Sequence, residues 1–384
     1  MAPPPADALR SLDSLIRTAS TLLRQLQAVL AEIHKDPSAK PPPDTLGSTS
    51  TSSAPLDALA LAHDSASLVR AHGTKVSLLI INEPFTPSAI SSVVRELVAG
   101  PVPAIVSAAQ ACTSEKYTAT LRRELASRCR RVLVELHELL QKVPQDGKAL
   151  AVDQKLGFAP GDRGSIPATG ILWAACDHVI NLARGGVGGF YAQKTGEWRD
   201  MLKDVLEEMK EWGDEEPNDH EDGSDDDNGV DDLAGQPGGT NVDAQDMIDD
   251  LMSSQPTIPR SDPNRIRPRL ESSLRRLRLI ILFYEAAIKR RFKKLPALPP
   301  TAAESNVPSR LDNVAQVLQR LPDRFEDLAG AFYELQPREI DEAMEQCFAD
   351  AVGVSELLAE NWDGAADEFS AWVKKFQVEI SKTA

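Results

Sequence analysis

Two helical bundles separated by an acidic, disordered loop is the fold class that three observations predict. Apolar residues recur at spacings of three, four and seven through most of the chain, the signature of one buried helix face. No segment alternates with period two over a useful length, so no sheet is expected. Between Asp214 and Asp250 lie fifteen Asp or Glu, one His and no Lys or Arg. Low hydrophobicity with that much charge buries too little surface to offset the entropy of ordering. With aromatics at only 5% of the 384 residues, the core is expected to be Leu, Ala, Val and Ile, which suits helix packing.

The elements follow in order. Leu9, Leu12, Ile16, Leu23, Leu26 and Leu30 predict a helix over Leu9–His34 that stops before Pro37, and the run KPPPDTLGSTSTSSAP to Pro55 is a low-complexity linker. A second helix is predicted from Leu56 to Ile81, closed by Asn82 and Pro84. Thr86-Pro87 supplies an N-cap and a first-turn proline for a third, which Gly100-Pro101 and Pro103 break. Thr113 or Ser114 is the expected cap of a helix from Glu115 to about Val143, lined by Leu121, Leu125, Cys129, Val132, Leu136 and Leu139. Pro167 opens a helix to Arg184, Gly185–Gly189 interrupt it, and another runs from Tyr191 to Trp212. Beyond the acidic tract, Pro268–Leu295 carries Leu270, Leu274, Leu277, Ile281, Tyr284 and Ile288 in a heptad-like seam. Helices over Arg310–Leu335, from Pro337 through Leu358, and over Ala365–Ile380 complete the chain. The domains expected are therefore 1–55 (helix and Pro/Ser-rich linker), 56–212 (first bundle), 213–259 (acidic loop) and 260–384 (second bundle).

The formal net charge of −16 belongs to the acidic tract, and the remainder is near neutral. Cys112, Cys129, Cys176 and Cys347 have no CxxC or metal-ligand spacing and sit in apolar stripes, the pattern of free buried thiols in a reducing compartment. No signal-peptide pattern opens the chain. The apolar stretch Leu277–Ile288 is too short and too charged to span a bilayer.

Catalytic and cofactor motifs are not found. Gly185–Gly189 lacks the Lys-Ser/Thr of a phosphate loop and follows a helix, so it reads as a hinge. Cys176, Asp177 and His178 are consecutive on a helix and point about 100° apart, so they do not face one another as nucleophile and base. No catalytic residue, cofactor or metal is assigned. Two interaction segments stand out. Met247, Ile248, Leu251 and Met252 form a short apolar stripe among acids, a candidate partner-docking segment. The same pattern suits a short helix on its own protein or no persistent structure. Lys289, Arg290, Arg291, Lys293 and Lys294 form a candidate nuclear-import patch, though last-turn basic residues also complement a helix dipole without any partner. With no reading helix and no stacking aromatics, direct nucleic-acid binding is not expected.

The stretch SIPATGILWAACDHVINLARGGVGGFYAQKTGEW (Ser165–Trp198) resembles the cyclin-D-binding, GCIP-like proteins, most specifically at ATGILWAACD. The acidic insertion and the helix RLESSLRRLRLIILFYEAAIKRR extend the resemblance over most of the chain from Leu56. It implies a vinculin/catenin-like helical fold without enzymatic activity. The implied role is binding D-type cyclins or helix-loop-helix factors in nucleus and cytoplasm, and an adaptor of this kind is expected to be a monomer or weak dimer. A cytoskeletal or membrane-associated linker of the vinculin type is the alternative. The chain departs from the animal pattern in Lys40–Pro55 and Gly185–Gly189.

Overall fold

The computed structural model describes residues 6–39, 57–157, 163–215, 256–299 and 306–382, and among these there are helices and no strands. The chain divides into two compact units, residues 1–193 with 292–315 and residues 194–291 with 316–384. This differs from the two contiguous bundles expected at 56–212 and 260–384: each unit draws on two stretches of sequence, and two of the boundaries fall inside helices. The acidic tract from Glu216 to Gln255 and the linker from Lys40 to Leu56 lie outside the described residues.

The first unit holds α1 (Ala6–Lys35), α2 (Ala58–Ile81), α3 (Pro87–Ala99), α4 (Pro101–Ala111), α5 (Ala119–Gln141), the single turn α6 (Val152–Leu156) and the beginning of α7 (Ser165–Asp214). Helix α1 turns Leu12, Leu23, Leu30 and Ile33 inward and packs on α5, while the Ala-rich face of α2 packs on α3 and α4. Gly100 and Pro101 break the helix as expected, α3 ending at Ala99, and α4 restarts at once. Pro101 and Pro103 fall in its first turn, where a proline's missing N–H has no helical partner to lose. The run Pro87–Ala111 is apolar and long enough to cross a membrane by composition, unlike Leu277–Ile288. Half of it is buried inside the protein and its backbone bends at Gly100.

Helix α5 begins later than the sequence suggests. Its cap is Thr118, whose hydroxyl accepts from Leu121 N at 3.0 Å. The neighbouring free N–H groups of Ala119 and Thr120 donate to the Asp312 carboxylate at 2.7 and 2.9 Å. A carboxylate almost two hundred residues away thus satisfies the helix start. No local pattern reveals such a partner. Within α7 the glycine run acts at one residue: Gly186 alone leaves helical geometry, at φ 60° and ψ −170°. Gly188 is required for a different reason, since a Cβ there would lie 2.6 Å from Phe292 O.

The most specific part of the family resemblance serves helix packing. Leu172 lies over Gly73 of α2, where a Cβ would approach its Cδ2 to 2.6 Å. Trp173 Nε1 donates to Thr74 Oγ1 at 2.9 Å, with the Arg70 guanidinium 5.4 Å over the ring. Asp177 pairs with the same Arg70 at 3.2 Å.

The second unit holds the remainder of α7, α8 (Ile266–Arg290), most of α9 (Val307–Tyr333), α10 (Pro337–Leu357) and α11 (Glu368–Ile380). Helices α8, α10 and α11 pack pairwise. The α8 seam is buried inside this unit at Leu270, Leu274, Leu277, Ile281 and Tyr284, so it is an intramolecular core rather than a zipper. Phe283 stacks with Phe376 at 5.1 Å between centroids, and Phe369 and Trp372 extend the stack.

Arg291, just beyond α8, is 1% exposed and latches the unit. Its Nη1 and Nη2 donate to the two Asp367 oxygens at 2.8 and 2.9 Å, and Nε and Nη2 donate to Leu358 O and Ala359 O. Asp367 also caps α11, accepting from Ser370 N at 3.0 Å. These bonds hold the Asp367 carboxyl well below the usual carboxylate range, the Arg291 contact being the main cause.

Candidate interaction groove

Along the second unit, α8 and α10 leave a groove of about 850 Å³. Its floor is apolar. Met344, Phe348 and Val352 follow one another at four-residue spacing on α10, with Pro268 of α8 and Ile380 of α11 beside them. Gly353 and Ala349 keep the α10 wall low: a Cβ on Gly353 meets nothing within 4 Å.

The rims are charged and asymmetric. Arg265, Arg269 and Arg276 line the α8 side, and Asp341, Glu345 and Glu356 the α10 side. One pair closes across the N-terminal end of both helices. Arg269 Nε and Nη2 donate to the two oxygens of Asp341 at 2.7 and 2.8 Å, which lowers the carboxyl's pKa and raises the guanidinium's.

Arg276 is different. It is 7% exposed, and its guanidinium lies 4.5 Å over the Phe348 ring. Nη2 donates to Lys382 O at 2.7 Å, while the buried Nε has no hydrogen-bond partner. Among the described residues no carboxylate lies within ion-pair distance of it. Burial, with Arg275 adding like-charge repulsion, lowers its pKa.

The candidate residues named from the sequence fall elsewhere. Met247, Ile248, Leu251 and Met252 lie outside the described residues. Lys289, Arg290, Lys293 and Lys294 are exposed. Arg291 must be withdrawn from the basic patch, because its guanidinium is fully engaged with Asp367 and two carbonyls. The four thiols are buried, and desolvation raises the pKa of each, to about 12 at Cys112, Cys176 and Cys347, so they stay protonated at neutral pH.

The groove itself went unread. The α10 periodicity shows one apolar stripe, Ile340, Met344, Cys347, Phe348, Ala351, Val354 and Leu358, and the structure buries all of it but Met344. The offset series Met344, Phe348, Val352 was the available signal. Ser272, Ser273 and Arg276 on the inward side of α8 were another.

An all-helical chain with an open, helix-lined apolar trough has the architecture of a protein-interaction module. Residues 62–215 match the family described as "Grap2 and cyclin-D-interacting, N-terminal", and over that stretch the chain is GCIP-like. It is also 28% identical over 175 residues to an uncharacterized protein of Schizosaccharomyces pombe, an alignment covering 44% of this chain and 49% of that relative. The chain thus matches about half the length of that relative. The groove lies C-terminal to the residues that the family match covers.

Proposed function

We propose that this protein is a non-enzymatic regulatory adaptor whose α8–α10 groove receives an amphipathic helix of a D-type cyclin or a helix-loop-helix factor. The observation that carries this reading is the apolar row of half-buried Met344 and Val352 with buried Phe348 between them, lining a groove between two charged rims, which is the chemistry of a helix-in-groove site. The family's description, which names cyclin D, supports a cyclin as the partner class. The chain acts as a monomer or weak dimer, in nucleus and cytoplasm, with Lys289, Arg290, Lys293 and Lys294 as the import determinant.

The test is calorimetric titration of the full chain with purified D-type cyclin and, separately, with a helix-loop-helix domain. Gly353→Trp fills the groove from a position with open space around it. Binding by wild type and its loss in Gly353→Trp supports the proposal. Undiminished binding by the variant places the interaction elsewhere.

A further inference from the structure

Among the described residues three arginines are buried, and their surroundings separate them. Arg291 has its carboxylate, Asp367. Arg122 has two carbonyls on one nitrogen, Pro37 O at 2.8 Å and Ala39 O at 2.7 Å, and the field of Asp36 acts on it, although its Nε, like that of Arg276, has no hydrogen-bond partner. Arg276 has one carbonyl, one aromatic face and an unpartnered Nε, and it alone of the three lines the groove. A buried cation without a counter-charge is costly to keep, and a donor left unsatisfied adds to that cost. Among the described residues no surrounding group discharges it. Glu345 and Glu356 sit on the opposite rim without reaching it, and Arg269 is already committed to Asp341.

We infer that the groove's occupant brings the missing charge: an amphipathic helix with a carboxylate side chain at the edge of its apolar face, set against Arg276. This rests on the groove reading above and specifies its partner. The apolar face covers Met344 and Val352 beside buried Phe348, while the carboxylate accepts from the edge of the Arg276 guanidinium that lines the groove. Phe348, stacked beneath the guanidinium, holds that plane in place before the ligand arrives, so little side-chain entropy is lost on binding. The rims also fix direction, since the acidic α10 wall disfavours the same carboxylate on the other side.

The experiment uses the full chain and a fluorescent amphipathic helical peptide with a leucine face and one glutamate at its edge, together with its glutamine twin. Four proteins are titrated: wild type, Arg276→Met, Arg276→Lys and Gly353→Trp. The glutamate peptide is expected to bind wild type about tenfold or more tightly than the glutamine peptide, the scale of a desolvated charge-assisted hydrogen bond. Arg276→Met should bind both peptides equally, and Arg276→Lys should restore part of the preference. Equal losses for both peptides on Arg276→Met would overturn the carboxylate assignment while leaving the groove intact. Absence of binding by either peptide, or binding that Gly353→Trp does not reduce, would overturn the groove reading and this inference together.

Discussion

Arg276 and Arg291 stand fifteen residues apart at the middle and end of the same helical run, and both are almost wholly buried. Arg291 meets a carboxylate, two loop carbonyls and the Phe369 ring, and its backbone carbonyl accepts from Trp362 Nε1 at 2.9 Å. Arg276 meets a ring and a single carbonyl. The lesson is that burial alone does not tell a structural arginine from a binding one. What separates them is whether the fold itself supplies the counter-charge.

That contrast breaks first at Asp367. Asp367→Ala removes the α11 cap and leaves Arg291 buried without its anion. A loss of about 3–5 kcal/mol in urea-unfolding stability is expected. The same pair sets an acid dependence. The folded-state pKa of Asp367 is depressed, so its contribution is complete above the unfolded carboxylate value near pH ~4 and is lost as pH falls below it. Asp367→Asn should flatten the stability profile between about pH 5 and pH 2. Unfolding curves across that range check it.

Arg276→Met sharpens the comparison from the other side. It removes a buried charge that no described carboxylate balances and keeps an apolar stem over Phe348. Stability should therefore stay within about 1 kcal/mol of wild type or rise. A loss as large as that of Asp367→Ala would mean that Arg276 is a structural latch too. The smallest effect is at Gly353. With open space at its Cβ and a helical position, Gly353→Ala should add about 0.5–1 kcal/mol by lowering unfolded-state entropy. Thermal unfolding resolves that shift.

Helix periodicity made most of the elements legible, because each helix buries one regular face. The α2 end at Ile81 and the α10 start at Pro337 fall where the sequence placed them. The α5 start lies at Ala119 rather than Glu115, with Thr118 as its cap and Asp312, remote in sequence, accepting from the next two N–H groups. The α11 start moved from Ala365 to Glu368 because Asp367 serves Arg291 and the helix at once. Gly185–Gly189 read correctly as a break, though one residue performs it. The site was far less legible. A basic cluster looks like one surface patch in sequence, yet Arg291 points inward, and its partner Asp367 lies seventy-six residues on. Arg276 becomes informative only when the absence of a nearby carboxylate among the described residues is seen in three dimensions.

The most direct test of the groove is hydrogen–deuterium exchange on the full chain, with and without a bound D-type cyclin or helix-loop-helix domain. New protection concentrated over Pro268–Arg276 and Met344–Gly353 is the result expected of a helix seated between α8 and α10. Protection confined to the exposed face around Leu282 and Trp372, or to Leu68, Leu78 and Trp173 in the first unit, would contradict it.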